Sequence, residues 1–258
     1  MNIFTELKSE LGYTNVTNQY IELSARMFQM DHKNDELREC ARKVNLSIVA
    51  LPESYLKRIA NGYIIGVHSC VEHFLVNYRT LAGNPTHGYN YRAENDDNRL
   101  KWTLKICYKN QIPQDVKQLY CICNYYRLVR NEIIHSGDGR AELRHAKSEL
   151  NNIDDALMIS RVSGQLKAPN DFTALDFDDQ VLFSRATRTI CNRIYRDSQY
   201  DWDTVLEYYK DTIANFLLAN DSNGKKKARI INFLSHIYPI NPENPTLALI
   251  DSIHRFVI

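Results

Sequence analysis

The run Arg130-Asn131-Glu132-Ile133-Ile134-His135 sets a guanidinium, a carboxamide and an imidazole within six residues. Histidine suits proton transfer because its unperturbed pKa lies near neutrality. Arginine suits phosphate because its rigid fork of donors matches two phosphate oxygens. Asn131 is able to orient either the imidazole or a substrate. The three types together fit cleavage of a ribose-phosphate chain without a metal ion. Such a reaction needs a base for the 2′-hydroxyl proton, an acid for the leaving 5′-oxygen, and positive charge on the phosphorane. The plainer alternative is a helix end at which His135 caps carbonyls while Arg130 and Asn131 meet water.

A helix must position these groups. Leu119, Ile122, Tyr126, Val129 and Ile133 are spaced 3, 4, 3 and 4, one apolar stripe of an amphipathic helix. At the 3.6-residue turn, Asn124, Arg127, Asn131 and His135 share a neighbouring arc, and Arg130 falls between that arc and the stripe. Gly137 and Gly139 then favour a helix end, since glycine accepts the left-handed conformation. Arg130 and His135 diverge by ~140° around an ideal helix, so one helix does not aim both at one phosphate. A distorted last turn would bring them closer. A two-fold dimer would instead place two copies of each group in one cleft.

R-N-x-x-x-H resembles the signature of the HEPN superfamily of all-helical domains, many of whose members are metal-independent ribonucleases of toxin–antitoxin, abortive-infection and CRISPR systems. The resemblance covers roughly residues 50–197, in organisation rather than in residue identity. It implies an all-α, HEPN-like helical bundle and a homodimer in which two motifs face each other. Arg130, Asn131 and His135 would be catalytic, and no cofactor or metal is implied. Around them, Arg127, Arg140 and Arg144 are candidates for RNA binding. Glu72 is a candidate support for Arg130. Glu132, three residues before His135, is placed to pair with its imidazolium or else simply faces water.

The whole chain bounds this reading. Its 258 residues are enough for one large domain or two modest ones. Charge is balanced, 32 Lys and Arg against 31 Asp and Glu, so any RNA contact must come from a local basic patch. The six cysteines never form a paired C-x-x-C and read as buried free thiols of a reducing cytoplasm. Met1 to Tyr13 is not a signal peptide, and the longest apolar run, Ile59 to Val71, is too short to span a bilayer. A cytoplasmic protein with no membrane partner is expected.

Three segments are expected: an N-terminal helical part (1–50), the HEPN-like bundle (51–197) and a helical extension (198–258). The first should contain short helices with Ile21, Ala25 and Phe28 on one stripe, and Leu37, Cys40 and Val44 on another. Pro52-Glu53 starts a long central helix running to Gly83-Asn84-Pro85, with Gly62 and Gly66 open to close approach by another helix. A turn-rich loop, Gly83 to Asp97, leads to a helix over 98–110, and Pro113 opens the motif helix. Gly139 to Leu150 is a short basic helix, and Leu157 to Lys167 a possible small hairpin turning at Ser163-Gly164. Asp178 to Arg196 is a helix with Val181, Leu182, Ala186, Thr189, Ile190 and Ile194 inward. Val205–Leu218, Lys225–Ile237 and Pro242–Phe256 complete the chain.

Other constellations are weaker. His68 and Glu72 stand at a spacing able to bind zinc, but HSCVEH is not H-E-x-x-H and no third ligand presents itself. Lys225-Lys226-Lys227 fits a phosphate backbone or, more plainly, a solvated face. The pairs Tyr125-Tyr126 and Tyr208-Tyr209 fit base stacking or, more plainly, a core. Two readings follow. The first is a HEPN-type endoribonuclease of bacterial anti-phage defence or a toxin–antitoxin system, with RNA as substrate and an antitoxin or other defence protein as possible partner. The second is a non-catalytic helical module that binds nucleotide, RNA or a partner protein.

Overall fold

A computed structural model describes residues 2–31, 34–45, 55–87, 89, 98–135, 140–153, 159–160, 164–217 and 221–257. The chain is all-α: α1 (Ile3–Asp31), α2 (Asn34–Lys43), α3 (Tyr55–Thr80), α4 (Arg99–Cys107), α5 (Gln114–His135), α6 (Arg140–Glu149), α7 (Phe177–Asp197), α8 (Trp202–Tyr208), α9 (Lys210–Leu217), α10 (Asn223–Ser235) and α11 (Leu247–Val257). Short 3-10 turns occupy Leu150–Asn152 and Phe172–Ala174. Strand among the described residues is limited to β1 (Ile159–Ser160) and β2 (Gly164–Gln165), paired antiparallel. Ser160 faces Gly164, so Gly164 belongs to the ladder and not to the turn expected at Ser163-Gly164. The residues between, 161–163, lie outside the described set, as do the Pro52-Glu53 helix start and Gly137 and Gly139.

Two compact units share the chain, the first made of Met1–Lys8, Val71–Lys117 and Thr189–Ile258, the second of Ser9–Cys70 and Gln118–Arg188. They interleave along the sequence instead of following one another.

The second unit contains the motif. Its core is the apolar stripe of α5, with Leu119, Ile122, Tyr126 and Val129 all buried, together with Tyr63, Ile64 and Val67 of α3 and Leu182, Phe183 and Ala186 of α7. The Tyr126 ring stacks on Phe183 with centroids 4.9 Å apart. Its hydroxyl donates to Asp179 Oδ1 at 2.7 Å. Asp179 also accepts from the Asn170 backbone and side chain, both at 2.8 Å, and from the Asp176 backbone at 2.9 Å. A carboxylate with no exposed surface is thus fully partnered, as burial of a charge demands. Where Thr189 was expected to face inward on α7 it is exposed, and Thr187 is buried instead.

The N-terminal region is one 29-residue helix, α1, rather than several short ones. Leu11, Asn18 and Ala25, seven residues or two turns apart, are its buried face in this unit. Gln180 donates to Asn15 Oδ1 at 2.6 Å and Asn15 Nδ2 to Ser184 at 3.0 Å, so Asn15 of α1 is held by α7. Ile21 is 42% exposed and Val44 is 64% exposed, contrary to the stripes proposed for them. Tyr13, Val16, Tyr20, Leu23 and Met27, spaced 3 and 4 apart, form an exposed apolar row on α1. Gly66 faces Thr14 of α1, whose methyl would lie 3.4 Å from an added Cβ, whereas Gly62 has open space beside it.

In the first unit, α3 ends where the sequence placed its stop. Gly83 has φ +66, and an added Cβ would sit 2.4 Å from the Asp201 carbonyl oxygen, so only glycine fits. Asn84 Nδ2 donates to the carbonyls of Tyr78 and Leu81 at 2.5 and 2.7 Å, satisfying acceptors that a helix end leaves unpaired. Asn98 caps α4 by accepting from the Lys101 amide at 3.1 Å. Three C-terminal elements differ from expectation. The helix expected over 205–218 breaks at Tyr209, whose ring packs on Phe233 and Tyr238. Helix α10 begins at Asn223, two residues early. Helix α11 begins at Leu247, after Pro245, with Thr246 Oγ1 accepting from the Leu249 amide at 3.4 Å.

Candidate functional site

The apolar stripe of α5 runs out towards its end: Val129 is buried, Ile133 half-buried and Ile134 44% exposed. The polar arc therefore meets water where the motif lies. Arg130 is half-buried, and its Nη1 donates to Asn131 Oδ1 at 3.1 Å. One turn earlier, Arg127 donates through Nε and Nη2 to Asn124 Oδ1 at 3.2 and 3.1 Å. Each guanidinium is steadied by a neutral carboxamide, which orients it without neutralising its charge. His135 is exposed and has no hydrogen-bond partner among the described residues.

His68 of α3 belongs to this group, although the sequence offered it only as a weak metal ligand. Burial, followed by the charges of Arg130 and Arg127, holds its imidazole down to about 4. It is therefore neutral near pH 7, with two guanidiniums in its field. Those charges oppose a cation at His68.

Glu132 neither pairs with His135 nor faces water. It is buried, and Oε1 accepts from Arg140 Nε at 3.3 Å. This ion pair joins the last turn of α5 to the first of α6. Arg140 itself is 71% exposed at the side chain, so part of its fork is left for another acceptor. Arg140, Arg144 and Lys147 stand at i, i+4 and i+7 on one side of α6 and border a cavity of about 340 Å³. Lys147 donates to the Pro169 carbonyl and lies over the Tyr125 ring, 5.5 Å from its centroid.

The second unit thus holds Arg127, Arg130, Asn131, Glu132, His135, Arg140 and Arg144. Direct bonds join Arg130 to Asn131 and Glu132 to Arg140. Glu72 falls in the first unit and accepts from Arg99 Nη1 at 2.8 Å. Tyr125 and Tyr126 are core residues, the first donating to the Asn170 carbonyl at 2.5 Å. All six cysteines are free. Among the described residues, no helix is long and apolar enough to cross a membrane. His68 and Lys147 were not legible as site residues, since Arg130 and Arg127 near the first and Tyr125 beside the second are distant from them in sequence. No family model, curated protein or solved structure matches the chain.

Proposed function

We propose that the exposed end of α5 is the active site of a metal-independent endoribonuclease of HEPN type, in a bacterial anti-phage or toxin–antitoxin setting. The observation that carries this reading is the state of the motif: an exposed, unpartnered His135 on the same helix end as an Arg130 whose charge no carboxylate among the described residues neutralises. His135 moves the proton, Arg130 holds the scissile phosphate and Asn131 orients Arg130. The neutral His68 adds no further charge beside Arg130 and Arg127.

A second chain completes the reading. Because Arg130 and His135 diverge by ~140° on one ideal helix, two motifs from two copies would share one cleft. Support for self-association comes from the exposed, uncharged row Tyr13, Val16, Tyr20, Leu23 and Met27, since large exposed apolar surfaces mark interaction sites. Sedimentation at micromolar concentration should show a dimer; a strict monomer with full activity contradicts this part.

The chemistry is tested on total RNA in the presence of EDTA. Fragments should end in 2′,3′-cyclic phosphate or its 3′-phosphate product. Ends bearing 5′-phosphate and 3′-hydroxyl, or activity lost on chelation, identify a metal-dependent nuclease instead.

A further inference from the structure

We propose that the cavity beside α6 is a subsite for one unpaired nucleotide, whose phosphate is held by Arg140, Arg144 and Lys147. The proposal deepens the reading of the α5 end as a ribonuclease site and rests on it for the source of the nucleotide.

Charge is the first argument. Three cations border the cavity against one carboxylate, Asp171. That carboxylate is already engaged, its Oδ1 accepting from the Thr173 amide at 2.9 Å and hydroxyl at 2.7 Å. Arg144 is exposed and has no hydrogen-bond or ion-pair partner among the described residues. Burial lowers the Lys147 ammonium below its ordinary range even though Asp179 and Asp171 pull it upward. A half-buried cation held by a neutral carbonyl gains from an anion brought close to it.

Shape is the second. At 100° per residue, positions 140, 144 and 147 span an arc of ~60°, so three cations converge on one side. Phe172 and buried Leu143 also border the cavity. Apolar and aromatic side chains beside a row of cations suit a flat base joined to a phosphate. A volume of about 340 Å³ lies at the small end of the ~300–1,000 Å³ typical of ligand pockets, room for one nucleotide. Bases inside a duplex are stacked and paired, so a single strand or a free nucleotide presents this chemistry, and the ribonuclease reading makes that strand RNA.

Position is the third. Arg140 both borders the cavity and pairs with Glu132 within the motif, so a strand held here continues towards the end of α5.

The test is fluorescence anisotropy of the full chain with a labelled twelve-nucleotide single-stranded RNA, run beside thermal-shift titration with AMP. The variants are Arg144→Ala, which removes an exposed unpartnered side chain, and Lys147→Met, which keeps the apolar stem. Each should weaken RNA binding about tenfold and lower the salt dependence by about one phosphate contact. A loss confined to RNA names the strand as the source, and a loss confined to AMP names the free nucleotide; either upholds the site. Unchanged affinity for both in both variants, or binding of neither ligand by wild type, overturns it. Cleavage separates the two readings. If His135→Ala still cuts RNA while Arg144→Ala binds poorly, the subsite stands and the α5 active site falls. If His135→Ala is inactive and the α6 variants bind normally, the reverse holds.

Discussion

Helix α5 carries two polar arrangements one turn apart, and they have opposite fates. At its middle, Tyr126 gives its hydroxyl to Asp179, a buried carboxylate that accepts four hydrogen bonds. At its end, Arg130 and Asn131 bond mainly to each other, and His135 bonds to nothing described. The first arrangement is committed to the fold: every polar atom in it is answered, and the chain from Asn170 to Asp179 is tied down by it. The second is left available, because water answers its polar atoms until a ligand does. Saturation separates a structural cluster from a site, and charge alone does not.

Four tests break or sharpen this contrast. Asp179→Leu strands one buried and three part-buried donors and should cost ~3–5 kcal/mol, enough to unfold a marginal domain, as read by urea titration. A loss under ~1 kcal/mol would show the network to be dispensable.

Acid acts next. His68 titrates near 6.5 when unfolded and near 4 when folded. Below pH 6.5 the unfolded chain therefore binds the extra proton, and stability falls as pH drops through this window, by at most ~3 kcal/mol. Urea midpoints at pH 4.5 and 7 should differ in wild type and converge in His68→Gln. An equal acid loss in the variant assigns it to other groups.

Tyr126→Phe removes one donor from a carboxylate that keeps three, so about 1 kcal/mol is expected. A cost as large as that of Asp179→Leu would mean that the Tyr126 bond alone holds the network. The smallest change should come at the helix end. There Arg130→Lys and His135→Ala remove no core side chain and should shift stability by less than ~0.5 kcal/mol in thermal unfolding. A drop of several degrees would place these residues with the fold rather than the site.

Much of the scaffold was legible because 3.6-residue periodicity survives wherever a helix has one buried face. Helices α3, α4, α5 and α7 all show it, and Gly83 and Asn84 end α3 for reasons a sequence can state. The length of α1 was hidden, because Gln180 and Ser184 of α7, which hold Asn15, are tertiary partners that no local pattern shows. Tyr209 breaks a periodic run through ring packing that no local pattern encodes. At the site, Arg130, Asn131 and His135 were visible because their spacing lies within one helix. The environment of His68 and the partner of Glu132 depend on tertiary neighbours, and the sequence placed neither.

The central claim is that His135 does chemistry rather than ending a helix. Its most direct test is the initial rate of cleavage of one RNA substrate in EDTA by wild type and His135→Ala, both shown to be equally folded. Loss of a general acid–base group predicts a rate lower by ~10²-fold or more in the variant. Equal rates would contradict the account and move the active site elsewhere.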